Sequence, residues 1–96
     1  MVKHIVCYKL KDSSMESRIK TKEVLMSMVG KVQYFNTINV GIDALGSERS
    51  YDIVLEMTFN SFDDMKKYQE DKYHKEVVKK YMHEARLTSV SVDYEC

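Results

Sequence analysis

The side chains suited to chemistry at neutral pH are few: three histidines, His4, His74 and His83, and Tyr68, six residues before His74. His74 opens an apolar stripe of His74, Val77, Val78, Tyr81, Met82 and Ala85, spaced i, i+3, i+4, i+7, i+8 and i+11. At a helix N-terminus the dipole disfavours an imidazolium, and an apolar setting does the same, so the ring is expected to be neutral at pH 7. A neutral imidazole in a pocket is a competent general base. The competing reading is a core histidine satisfied by a carbonyl or a hydroxyl. Tyr68 likewise has two readings: a phenol that donates to a developing enolate oxygen, or a wedge between two helical pieces. His4 shares a strand face with Val6 and Tyr8, where it lines the same cavity or ends the strand near solvent. His83 falls on the side of Lys79 and Lys80, away from the stripe, and is expected to be exposed. Two histidines without a carboxylate in register do not make a metal site. There is no Gly-rich phosphate loop and no nucleophile elbow, and the expected cofactor complement is none.

These side chains are positioned by six elements. Residues 3–10 alternate as a strand, with His4, Val6, Tyr8 and Leu10 on one face and Ile5 and Cys7 on the other. Ser13 or Ser14 then caps a helix with Glu16 in its first turn. Its apolar stripe is Met15, Ile19, Met26 and Val29, widened by Leu25 and Met28, and Gly30 stands at its C-cap. A second strand runs from Val32 to Ile42, with Phe35 opposite Val32, Tyr34, Ile38, Val40 and Ile42. Ser50 starts a third strand, the clearest of all, whose Tyr51, Ile53, Leu55, Met57 and Phe59 share one face. Ser61 with Asp64 resembles a capping box and opens a short helix carrying Tyr68. Asp71 caps the piece that begins with His74, and Leu87 to Tyr94 alternates as the last strand.

The order strand, helix, strand, strand, helix, strand predicts an α+β ferredoxin-like sandwich (βαββαβ), with helices on one face of an antiparallel four-stranded sheet. The other face still receives Ile5, Cys7, Phe35, Val54 and one side of the last strand. An uncovered apolar face on a small domain marks a partner surface, and two copies meeting there make a closed dimeric α/β barrel. Length points the same way. One domain of 96 residues buries only about 60–65% of the surface its unfolded chain exposes, so its core is small.

Fifteen basic and fifteen acidic side chains cancel, and Lys66, Lys67, Lys79 and Lys80 stand among acids, which argues against nucleic-acid binding. No apolar run approaches the roughly 20 residues that span a bilayer, so no membrane partner is expected. The N-terminus goes straight into strand pattern, without a signal-peptide h-region, and the expected location is cytoplasmic. Two cysteines, Cys7 and Cys96, without ligand spacing support neither a disulfide framework nor a zinc site.

Several stretches carry a family resemblance across essentially the whole chain, residues 1–96. V-K-H-I-V-x-Y-K-L-K at the start, V-G-I-D after the second strand, Y-D-I-V-L-E-M-T-F, K-K-Y-Q-x-x-x-x-H-K-E-V-V and the terminal S-V-S-V-D-Y-E resemble the stress-responsive A/B barrel (Dabb) proteins. The resemblance implies a ferredoxin-like fold and a homodimer with a central barrel. It extends to a plant member, olivetolic acid cyclase, in having a strand histidine like His4, a tyrosine like Tyr68 and a helix-start histidine like His74. That likeness implies a cofactor-free cyclisation in which His74 removes a proton alpha to a carbonyl and Tyr68 positions an oxygen. The segment Asp71-Lys72-Tyr73-His74 keeps only the second histidine of the family's H-P-x-H and sets a bulky Tyr73 beside it. The expected role is small-molecule binding in a sheet–helix cavity, of an apolar or carbonyl-containing ligand. The second reading is an isomerase, cyclase or monooxygenase built on the same residues.

Overall fold

Alternating side chains write four strands into one sheet, in a computed structural model that describes all residues from Met1 to Cys96. The strands are β1 (Val2–Leu10), β2 (Phe35–Ile42), β3 (Ile53–Phe59) and β4 (Arg86–Glu95), in the order β2-β3-β1-β4 with every pair antiparallel. The helical elements are α1 (Met15–Met26), α2 (Phe62–Glu70), a π-helical segment (His74–Lys79) and α3 (Lys80–Ala85), which runs on from it. This is the ferredoxin-like βαββαβ arrangement, with both crossovers on one face. The core lies between the layers, where Val2, Val6, Leu10, Ile53, Leu55, Met57 and Phe59 meet Leu25, Met28, Tyr68, Val78 and Met82.

Caps define the helix starts. Ser14 Oγ accepts from Ser17 N at 3.2 Å, which selects Ser14 over Ser13. Ser61 Oγ does the same for Asp64 N at 3.2 Å, and Asp71 Oδ2 accepts from His74 N at 3.0 Å. Asp71 therefore separates α2 from the segment that carries His74, as its position in the sequence implies.

Pairing partners override hydrophobic spacing on α1. The helix buries Thr21, Leu25 and, just beyond its end, Met28, while Met15, Ile19 and Val29 face solvent. Thr21 tolerates burial because its hydroxyl donates to Ser17 O at 2.9 Å and meets the Tyr81 hydroxyl at 3.3 Å. Arg18 takes the same face because Nη2 reaches Asp52 Oδ1 at 3.0 Å. The helical stripe is thus rotated relative to the one that Met15, Ile19 and Val29 would define.

Strand β2 also departs from simple alternation. It begins at Phe35, after Tyr34 with φ +81°, although Val32 is still buried in the core. A bulge pairs Phe35 with Phe59 but Thr37 with Thr58, so Asn36 is extra and Phe35 turns toward the helices. Phe35 therefore leaves the open face. Strand β3 begins at Ile53 rather than at Ser50, because Asp52 uses its groups to close neighbouring turns: Asp52 N donates to Tyr8 O at 2.8 Å and Asp52 O accepts from Asp43 N at 2.9 Å.

The remaining open face has two halves. Toward β2 it is polar, with Thr37 against Thr58 at 2.6 Å and Lys3 near Glu56 at 3.8 Å. Toward β4 it is apolar: Ile5, Cys7 and Val54 are half-buried beside Val90, Val92 and Tyr94, which are 50%, 60% and 43% exposed.

The Arg18–Asp52 pair ties α1 to the edge of the sheet, since Asp52 Oδ2 also accepts Leu10 N at 2.8 Å. Asp52→Ala strands a mostly buried guanidinium and a backbone N–H together. We expect it to cost about 2–3 kcal/mol in urea unfolding. A loss below about 0.5 kcal/mol would show that the pair is a solvated surface contact.

Candidate functional site

His4 is set by strand pairing. In the β1–β4 register His4 stands opposite Asp93, and its Nδ1 meets Asp93 Oδ1. With Nδ1–H donated to a carboxylate, Nε2 is the nitrogen that stays basic in the neutral ring. This corrects the expectation that no carboxylate stands in register with a histidine. Asp93 shares a face with Ser89 and Ser91, and that parity is visible in the sequence. The strand partner is not, so the pairing was missed.

Tyr68 and His74 come from the break between α2 and the π-helical segment. Tyr68 is 2% exposed and packs on Phe59 with ring centroids 5.2 Å apart. The His74 ring lies against it at 4.3 Å, and His4 approaches its other surroundings at 6.3 Å. The wedge reading and the chemical reading of Tyr68 thus describe one geometry: its ring fills the junction while its edge lines a cavity. His4, Tyr68 and His74 all border that cavity, of about 490 Å³. Its floor is Val6 and Tyr8 of β1, Leu55 of β3, and Ser89 and Ser91 of β4; Leu25 closes the back and Gln69, Val78 and Met82 the roof.

Burial tunes the titratable groups. It holds the His74 imidazolium below the ordinary histidine range; the carbonyl of Gln69 opposes this and the Lys79 ammonium adds to it, with smaller effects from Asp71 and His4. His74 Nδ1 has no partner at regular hydrogen-bond geometry, and the Gln69 carbonyl is the one backbone acceptor near enough to favour the charged ring. Desolvation keeps the Tyr68 phenol protonated far above its usual range, and pushes Tyr8 up to about 12 against the opposing charge of Arg86. The cavity therefore presents a neutral imidazole beside a phenol that stays a donor at every physiological pH. No group of three or more His, Cys, Asp or Glu side chains is gathered as metal ligands.

The π-helical segment changes which residues face this cavity. Its i→i+5 pattern has more residues per turn than an α-helix, so the α-helical stripe slips. Val77 is turned out to 41% exposure, and Lys79 is turned in to the cavity rim with His74 and Val78. His83 is exposed as expected, yet it lines the rim beside Lys79 and Arg86 rather than standing apart. Tyr73 does not obstruct the cavity. Its hydroxyl donates to Ser27 Oγ at 2.8 Å, which holds the ring against α1.

The family model for the Stress Responsive A/B Barrel Domain, Dabb, matches residues 2–96. None of the curated proteins compared matches the chain. Among solved structures, a dimeric ferredoxin-like protein of unknown function from Bacteroides fragilis is 30% identical with a TM-score of 0.83, over 99% of this chain and 95% of that one. A Dabb family protein with a ferredoxin-like fold from Mesorhizobium loti reaches a TM-score of 0.85 at 14% identity, over 99% and 95% of the two chains. A hydroxynitrile lyase from Passiflora edulis reaches 0.78 at 19% identity, over 97% and 90%. At 14% and 19% identity, the latter two speak to the fold alone.

The lowered His74 pKa has a thermodynamic signature. The folded state binds this proton less readily than the unfolded chain, so stability is unpenalised above the ordinary histidine value of 6.5 and is lost as pH falls from there through the folded pKa. Between pH 7 and pH 5 the unfolding free energy of the parent should fall more steeply than that of His74→Gln. Parallel curves would contradict a desolvated His74.

Proposed function

Since the chain belongs to the stress-responsive A/B barrel (Dabb) domain family, we propose that it binds a small, largely apolar, carbonyl-containing molecule in its sheet–helix cavity, as a homodimer in the cytoplasm. The observation that carries the reading is the unpartnered, buried Nδ1 of His74 beside the Tyr68 ring at the cavity wall. A buried ring nitrogen without a regular partner costs on the order of 1–3 kcal/mol, which a hydrogen bond from a bound molecule or a water offsets. Seven of the fifteen lining residues are apolar, which suits a ligand body with little charge.

The same groups support a second reading, cofactor-free proton transfer. His74 takes a proton alpha to the ligand carbonyl: the C–H bond breaks, an N–H bond forms, and the electron pair moves to the carbonyl oxygen. The Tyr68 hydroxyl donates a hydrogen bond to that oxygen, whose charge it stabilises in a water-poor site. His4, oriented by Asp93, offers Nε2 as a second polar group on the floor. An isomerisation or an aldol-type cyclisation uses this first step.

Homodimerisation is supported by the dimeric state of the ferredoxin-like relatives and by the apolar half of the open sheet face. Both cysteines are free thiols, and no helix is long and apolar enough to cross a membrane. Cytoplasmic placement rests on the thiols and the neutral charge balance, not on the fold.

Two measurements test these points. Deuterium incorporation into 2-heptanone and phenylacetone, followed by NMR in heavy water, should exceed buffer with the parent protein. It should drop on the order of 10²-fold with His74→Ala and by about tenfold or more with Tyr68→Phe. Equal exchange by parent and His74→Ala would remove the base role, and a ketone-induced thermal shift indifferent to His74 would remove the binding role. For the assembly, sedimentation at micromolar concentration should give about twice the 11.3 kDa chain mass, and Val92→Lys should shift it toward one. A monomeric parent would rule out the barrel.

A further inference from the structure

The charge of the cavity is at odds with the charge of the chain. Fifteen acids and fifteen bases cancel overall, yet the one carboxylate bonded to the lining is Asp93, taken up by His4 at the floor, while Lys79, His83 and Arg86 gather at the rim. Lys79 and Arg86 take part in none of the four ion pairs of the fold, so their charge is not neutralised by a neighbouring carboxylate. Lys79 faces the cavity because of the π-helical turn, and Arg86 because β4 begins immediately after α3. Two backbone irregularities thus deliver two unpaired cations to one opening. Deeper in, the wall changes character to Val6, Leu55, Val78 and Met82 around Tyr68 and His74.

Resting on the binding reading above, we propose that the ligand is an oxo-carboxylic acid: its carboxylate is held at the rim by Lys79 and Arg86, and its carbonyl lies against Tyr68 and His74. A carboxylate accepts charge-assisted hydrogen bonds from both cations, and the planar guanidinium of Arg86 suits a two-oxygen acceptor. The arrangement also fixes polarity. The anion stays at the wet rim, where its desolvation cost is small, and the uncharged carbonyl end enters the apolar interior. A ligand bound in this direction presents the C–H beside its carbonyl, rather than its carboxylate, to the base.

The test uses the intact protein with 6-oxoheptanoate and its amide as matched probes, titrated by calorimetry. At about 0.02 M salt the acid should bind roughly tenfold more tightly than the amide, and the preference should shrink to about twofold near 0.5 M salt. In the double variant Lys79→Gln, Arg86→Gln the ratio of acid to amide affinity should fall to about one. Because the ratio is internal to each protein, a general loss of folding lowers both affinities and leaves it interpretable. Lys79→Arg should retain the preference. Equal binding of acid and amide by the parent overturns this inference and leaves the carbonyl cavity standing, as does a ratio that survives the double substitution. Binding of neither probe overturns the cavity reading and this inference with it.

Discussion

The contact on which the site depends is the burial of the Tyr68 ring between the sheet and His74. Phe59 supports it from β3, His74 covers it from the π-helical segment, and His4 meets it edge-on from β1. An aromatic ring in that position fills the junction beside Phe59 and fixes the direction in which the chain leaves α2. The helices sit over β2 and β3, while the middle of β4 offers the short side chains of Ser89 and Ser91 to the helix side, beside Asp93 on His4. The layer is therefore complete on one half of the sheet and hollow on the other. The hollow is the cavity.

Within that frame, backbone irregularity and polar chemistry coincide. The π-helical turn gives up regular hydrogen bonding at the residues that carry His74 and Lys79, a placement common where function outweighs regularity. Desolvation favours the neutral form of both rings, holding the His74 pKa down and keeping the Tyr68 phenol protonated. Shifts of this kind are enriched at functional sites and also arise by burial in a core. Across the sheet, the opposite face divides into a polar half and an apolar half.

Much of this was legible in the residues. Alternation in Val2–Leu10 and Ile53–Phe59 defined the two central strands, and Ser14, Ser61 and Asp71 marked helix starts that the structure uses. Face and order left His4, Tyr68 and His74 as candidates for one cavity, and the family resemblance is what grouped them; the structure sets all three at its border. What was not legible depended on tertiary pairing or on backbone irregularity. Asp93 meets His4 only through a strand register that no local pattern encodes. Lys79 and His83 look solvated on an α-helical wheel and reach the rim only because a π turn rotates it. Thr21 and Arg18 displaced Met15 and Ile19 from the core because distant partners, Tyr81 and Asp52, satisfied them. Asn36 flipped Phe35 through a bulge that alternation alone does not specify.

The central claim is that His74 is a neutral imidazole packed on Tyr68 and free to take a proton. Long-range nitrogen–proton NMR of the uniformly labelled protein at pH 7 reads this state directly, because neutral and cationic rings give distinct pairs of ring-nitrogen shifts. The account predicts a neutral His74 whose ring protons are displaced by the Tyr68 ring current and relax toward ordinary shifts in Tyr68→Leu. An imidazolium at pH 7, or ring-proton shifts that ignore the loss of Tyr68, would contradict it.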